Sequence, residues 1–239
     1  MSTMNELAKA HRIAIYFAPA METELWQKGS QWLCRCAATS TAMPQPVVPP
    51  FTAKEFQQLT QEPRRYGLHA TLKAPFRLAE GVCVDNLLDA IGKICATHRK
   101  IALSPLRVSR LGNFLSLRPS EDQAEVSALA SDCVKSLQPF AAPLTKEEWL
   151  KRRRANLSAE QELLVQQWGY PWVFEHFRFH ISLTGPLKAL AQAQLLALQS
   201  EAERYFHHLA PCVLDRIAVF AEFAPGADFQ LITQMELAV

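Results

Sequence analysis

The stretch "RYGLHATLKAPF", Arg65–Phe76, decides how the chain is read. Leu68, Ala70 and Leu72 alternate with His69, Thr71 and Lys73, the period of a strand with one face turned to a core. Residues i and i+2 of a strand point the same way, so the other face carries an imidazole and a hydroxyl side by side. A second stretch, "FRFHISLTGPL" at Phe177–Leu187, repeats the pattern. Its apolar face holds Phe177, Phe179, Ile181 and Leu183; Arg178, His180, Ser182 and Thr184 share the opposite one.

Each stretch opens the same series. After the first, "VDNLLDAIGKICATHRK" places Leu87, Leu88, Ile91, Ile94 and Cys95 at helical spacing. "IALSPLRVSRLGNFLSLRP" then reads as strand, turn and strand, with Gly112-Asn113 at the turn. After the second, "KALAQAQLLALQSEAERYFHHLA" is a helix, and the chain closes on a hairpin that turns near Pro225-Gly226. The order His-strand, helix, hairpin thus runs from about Leu68 to Pro119 and again from about Phe177 to Leu237.

Around these copies, "HRIAIYFAP" (His11–Pro19) alternates as a first strand, and "ETELWQKGSQWL" is helical. "TAKEFQQLTQEP" is a short helix capped by Thr52, and Ser120 caps the helix "SEDQAEVSALASDCVKSLQPF". The expected fold class is α+β: one domain, 1–239, built of two pseudo-symmetric lobes at about 20–119 and 120–239. Each lobe is an antiparallel sheet with helices on its outer face, and a central cleft lies between them.

Composition bounds the function. The 239 residues are 49% hydrophobic and 20% charged, an ordinary globular balance. A net charge of +2 does not call for a nucleic-acid partner. No signal-peptide pattern and no apolar run of membrane-spanning length is present. Six cysteines without a C-x-x-C pair read as reduced, apolar side chains, so the expected location is the cytoplasm.

Two imidazoles and two hydroxyls facing one groove suit phosphodiester chemistry. One neutral histidine takes a proton from the nucleophile, and the other, protonated, gives one to the leaving oxygen. Thr71 and Ser182 would donate to the non-bridging oxygens, where charge builds up. The scheme needs no metal and no cofactor. By chance each histidine meets H-x-[ST]-aliphatic at roughly a few per cent, so the weight lies in the pair within its repeated context.

Neighbouring residues admit two readings each. Lys73 and Arg178 share the faces of His69 and His180, as phosphate holders or solvated edge charges. Tyr16 lies opposite Ile13, Ile15 and Phe17, to stack on a ligand or to pack under a loop. Tyr66 and Arg65 precede the His69 strand, Arg65 as an anion contact or an exposed loop residue. Trp168, Tyr170 and Trp172 in "WGYPW" wall a ring-shaped ligand or pack on one another. The run Lys151–Arg154 is expected on a solvated helix face rather than over the cleft. His176 and His180 would lie about 13 Å apart on a strand, too far to share a metal.

The paired motifs resemble those of the 2H phosphoesterase superfamily, which includes RNA 2′,3′-cyclic phosphodiesterases and related RNA ligases. The longer blocks "RYGLHATLKAPFRLAEG", "QWGYPWVFEHFRFHISLTGPL" and "RIAIYFAP" are similar to the DUF1045 group of 2H-like proteins associated with phosphonate utilisation. The resemblance implies a two-lobed fold with His69, Thr71, His180 and Ser182 in the cleft, acting on a phosphorus ester such as a cyclic sugar phosphate. The chain departs from the group at Ala141, where an arginine is usual, and along "WLCRCAATSTA", which replaces a glycine-containing loop.

The expected function is a metal-independent phosphoesterase acting on a cyclic phosphate or small phosphodiester of nucleotide or phosphoribosyl type. The alternative is a non-catalytic binder of a phosphorylated metabolite or RNA end in the same cleft. RNA ligation is a third reading, disfavoured by the near-neutral charge. The expected partner is a small phosphorylated substrate, with no membrane contact.

Overall fold

The structure, a computed structural model, describes residues 3–153 and 157–239. Helix α1 (Thr3–Leu7) and strand β1 (Arg12–Phe17) lead into α2 (Glu24–Trp32) and a small hairpin, β2 (Arg35–Cys36) and β3 (Thr41–Ala42). Next come α3 (Ala53–Tyr66), β4 (Ala70–Phe76), α4 (Val84–Thr97), β5 (Ile101–Ala102), β6 (Leu106–Leu111) and β7 (Phe114–Pro119). The rest comprises α5 (Ala124–Leu137), α6 (Lys146–Arg153), α7 (Ala159–Trp168), β8 (Ile181–Ser182), α8 (Gln192–Tyr205), β9 (Val213–Leu214), β10 (Arg216–Glu222) and β11 (Gln230–Glu236).

Seven strands form one sheet in the order β11-β10-β1-β4-β8-β7-β6. Every neighbouring pair in it is antiparallel, in keeping with the α+β class. Its two halves meet where β4 pairs with β8 through Ala70 and Ile181. The hairpins cross this junction. The β6–β7 hairpin follows the first motif in the chain but pairs with β8, the strand of the second. The β10–β11 hairpin follows the second motif but pairs with β1, next to β4. Both edges of β4 are already occupied, by β1 and β8, so its own hairpin finds no edge there. The pairing therefore cuts across a division near residue 119.

Helices α4 and α5 pack on each other, α5 against β4 and α4 against β10 and β11. A second group gathers on Trp32 of α2. Its ring meets Phe56 of α3 edge-on at 4.8 Å and lies 5.3 Å from Phe206, and its Nε1 donates to the Leu183 carbonyl at 2.9 Å. Thr52 caps α3 as expected, in a capping box with Glu55. The helix then continues through Pro63 to Tyr66. A proline leaves the carbonyl four residues back without its helical donor; here Gly185 N–H fills that role, donating to the Leu59 carbonyl at 2.7 Å. That bond ties α3 to the loop after β8.

Two local expectations shift. Helix α5 starts at Ala124, because Ser120 extends the hairpin instead, its N–H donating to the Pro105 carbonyl at 3.0 Å. The second motif's strand is only Ile181–Ser182, preceded by a 3₁₀ turn at Phe174–His176. One continuous hydrophobic core serves both halves of the sheet. Among the described residues no helix is long and apolar enough to cross a membrane.

Candidate active site

The register at the β4–β8 junction sets the site. Ala70 opposite Ile181 in an antiparallel pair puts His69 opposite Ser182 and Thr71 opposite His180. Each imidazole of one strand thus faces a hydroxyl of the other, with backbones about 4.5–5.5 Å apart, and the two histidines lie on a diagonal of about 7–8 Å. All four side chains line one cleft of about 600 Å³.

Both rings are held alike. His69 Nδ1 bonds the Gly67 carbonyl at 2.9 Å, and His180 Nδ1 bonds the Arg178 carbonyl at 2.7 Å. A carbonyl only accepts, so each Nδ1 carries the hydrogen and each Nε2 keeps a lone pair for the cleft. Gly67 reaches this geometry with φ 75°, and a Cβ there would lie 2.5 Å from the Ala37 Cβ. The Tyr16 ring stacks on His69 with centroids 3.8 Å apart; on the other strand, Phe114 lies 5.6 Å from His180. Burial, opposed by the bond to the Gly67 carbonyl and helped by nearby His180, lowers the His69 pKa to about 4. Burial also lowers that of His180, helped by Arg118 and opposed by the Arg178 carbonyl. Both imidazoles are therefore mainly neutral at pH 7.

The remaining sequence candidates divide. Tyr16, Tyr66 and Trp172 line the cleft with the motif residues. Tyr16 is buried behind the His69 ring, and Trp172, 45% exposed, stands at the mouth.

Lys73 does not share their face, and its expected role as a phosphate holder is corrected. Thr71 pairs with Tyr16 and Lys73 with Ile15, two steps on β4 for one on β1. The extra residue is a β-bulge, and it turns Lys73 to the helix side. There it is 3% exposed and donates to Gln138 Oε1 at 2.8 Å and the Val134 carbonyl at 3.4 Å.

Arg178 precedes the short strand, so alternation does not govern it. Its guanidinium donates to the carbonyls of Glu175 and Phe177 at 2.8 and 2.6 Å. It borders an apolar annex of about 450 Å³ beside His180 rather than the cleft. Arg65 lies in the last turn of α3, not in a loop. It pairs with the buried carboxylate of Glu222 and donates from Nε to the Ala227 carbonyl at 3.0 Å, so its donors are turned away from an anion. Ala141 lies with Lys73 in a small hollow that adjoins the cleft and shares Pro75, Glu148 and Arg152 with it.

Other cleft residues escaped the motif search. Asn113 comes from the β6–β7 turn and Phe114 from the strand after it, whereas Tyr170 of the aromatic loop, which also lines the cleft, was among the sequence candidates. Arg12 lines the wall from β1, paired with Glu222. Lys151 and Arg152 also reach the cleft, which corrects the solvated-face reading of the basic run for these two; Arg154 lies outside the described residues. Among the described residues no group of three His, Cys, Asp or Glu side chains is placed to hold a metal ion.

Comparison with known proteins places the chain. A family model described as "Protein of unknown function (DUF1045)" matches residues 71–230. A protein of Janthinobacterium sp. (strain Marseille) named ribose 1,5-bisphosphate phosphokinase PhnN is 38% identical over 221 residues, 91% of this chain and 49% of that protein. A protein of the same name from Laribacter hongkongensis (strain HLHK9) is 35% identical over 225 residues, 92% of this chain and 50% of that protein. The chain spans about half the length of these curated relatives.

Among solved structures, one titled as a phosphoesterase aligns with a TM-score of 0.47 and 12% identity, over 96% of this chain and 99% of that one. E. coli LigT complexed with 3′-AMP aligns with a TM-score of 0.46 and 12% identity over the same shares, 96% and 99%. Matched over most of its length by the family model, and carrying on one cleft the paired motifs its sequence announces, the chain belongs to the DUF1045 family.

Proposed function

We propose that the protein is a phosphoesterase that opens a cyclic phosphate or cleaves a small phosphodiester by paired-histidine acid–base catalysis. The observation that carries this reading is the convergence of two imidazole–hydroxyl pairs on one cleft, each ring held through Nδ1 with Nε2 left free. One Nε2 takes a proton from water as its oxygen bonds to phosphorus. The bond from phosphorus to the leaving oxygen breaks, and the other imidazolium protonates that oxygen. Thr71 and Ser182 donate to the non-bridging oxygens. A cyclic diester becomes a phosphomonoester, and each histidine ends in its partner's starting protonation state. The kinase of the relatives' name is not carried over, because the eight glycines of this chain form no G-x-x-x-x-G-K-[S/T] phosphate loop.

One observation favours a second reading, a binder without turnover. Both imidazoles have depressed pKa values, so the free cleft holds no protonated acid at neutral pH. A bound phosphate restores one, since its negative charge favours the imidazolium.

The test is turnover of 2′,3′-cyclic nucleotides and ribosyl cyclic phosphates with a chelator present. We expect His69→Ala and His180→Ala each to lower kcat/KM by about 10²–10⁴. Unchanged turnover in both variants would remove the histidines from catalysis. Tight binding without turnover from pH 5 to 8, measured by calorimetry, would establish the binder.

A further inference from the structure

The cleft has a second pole. Arg152, at the end of α6, lines the same wall space as the motif residues and is part-buried. Its guanidinium lies 5.5 Å from the centre of the Tyr170 ring, and its one hydrogen bond among the described residues is a 3.4 Å contact to the Pro75 carbonyl. It forms no salt bridge with a described residue, and the residues outside the description, 1–2 and 154–156, carry no carboxylate. Glu148, an acid of the cleft wall, is occupied by Arg77 at 3.2 Å and by the Thr145 N–H at 2.8 Å. The other acid on that wall is Glu62, beside Gly185.

Arg12 and Lys151 line the cleft with Arg152. Arg12 is tied to Glu222, which also holds Arg65, so that triad keeps one net positive charge. The pole thus brings together a guanidinium without an acid partner, a second of residual positive charge and an exposed amine. Taking a partly buried cation from water with its fork unfilled is costly, and an anion offering two oxygens would fill it. Burial lowers the Arg152 pKa, with Arg12 adding to the shift and Tyr170 and the Glu148 carboxylate opposing it without cancelling it.

We propose that Arg152, supported by Arg12 and Lys151, is a second anion subsite. The substrate is then a small phosphoester that bears another phosphate beyond the reacting one. Pro75 stands four residues after Thr71 on the bulged strand β4, at less than the roughly 13 Å of full extension, a span that a pentose with a phosphate at each end covers. Tyr170 and Trp172 would flank the sugar between the two poles. The proposal rests on the phosphoesterase reading for the identity of the first pole.

The experiment compares 2′-AMP with adenosine 2′,5′-bisphosphate by calorimetry, and adenosine 2′,3′-cyclic phosphate with its 5′-phosphorylated form in turnover. The wild-type protein is expected to favour the added phosphate by about tenfold or more. Arg152→Gln should bring that ratio close to one. Lys151→Gln, at an exposed position, should lower it by about two- to threefold, and His69→Ala should leave the binding ratio in place. A ratio near one in the wild type, or one that survives Arg152→Gln, overturns the subsite. Binding that depends on Arg152 without turnover of either cyclic compound sinks the phosphoesterase reading and keeps the subsite. Turnover indifferent to the 5′-phosphate does the reverse.

Discussion

His69 and His180 are each pinned by a carbonyl two residues back and have pKa values below the ordinary imidazole range. Acid–base catalysis by the pair needs one ring charged and one neutral. In the free protein that form prevails between the His69 value of about 4 and a His180 value that stays under 6.5. We therefore expect kcat/KM to fall as pH rises through the depressed His180 value, with the decline already under way below pH 6.5. The limb in kcat should lie higher, because bound phosphate favours the imidazolium. Arg118 stands opposite His180 in the β7–β8 register and lowers its pKa. Arg118→Gln should move the alkaline limb of kcat/KM upward by a few tenths to about one pH unit; an unmoved limb would show that His180 does not set it. The same burial links pH to stability. A folded His69 pKa of about 4, beneath an unfolded value of 6.5, contributes stability that is complete above pH 6.5 and lost as pH falls toward 4.

Strand β4 marks how far alternation alone can be trusted. His69 and Thr71 share a face because only one residue separates them, and the same holds for His180 and Ser182, so the four central residues were legible as i, i+2 pairs. Lys73 lies just past a bulge that no residue type announces, and its side chain passes to the opposite side. Arg12 and Arg152 were illegible for another reason: strand β1 and helix α6 contribute them, and only tertiary assembly brings these to one cleft. The bulge has a testable consequence. Burial lowers the Lys73 pKa to about 8, from 10.5 in the unfolded chain. The unfolded state thus holds the proton more tightly, and stability should rise as pH climbs from 8 to 10.5. Lys73→Met removes this penalty while forfeiting the bonds to Gln138 and Val134. We expect a net gain of about 1–2 kcal/mol at pH 7, loss of that pH slope in denaturant titrations, and an unaltered KM. A severalfold rise in KM would return Lys73 to the substrate.

At the scale of the molecule, the two motif strands meet edge to edge, and each hairpin crosses to the other motif's side of the sheet. The repeat of strand, helix and hairpin was visible in the chain, but the partner of each hairpin was not, because register between distant strands depends on which edges remain free. The crossing has a mechanical role. It fixes the β4–β8 junction from both sides, β1 and β10 holding one flank while β7 and β6 hold the other, so the diagonal between the two imidazoles does not depend on two lobes finding each other. It also makes the halves interdependent. Cut between residues 119 and 120, the first fragment keeps the β6–β7 hairpin without β8, and β1 without β10. The second keeps β10 and β11 without β1, and α5 without α4. Each piece exposes apolar strand edges and half of a shared core. Neither fragment should give dispersed amide resonances or a cooperative melt by itself, whereas co-expression should restore both, together with turnover. A cooperative melt from either fragment alone would show that its strands find other partners, and that the crossing is not what holds the cleft together.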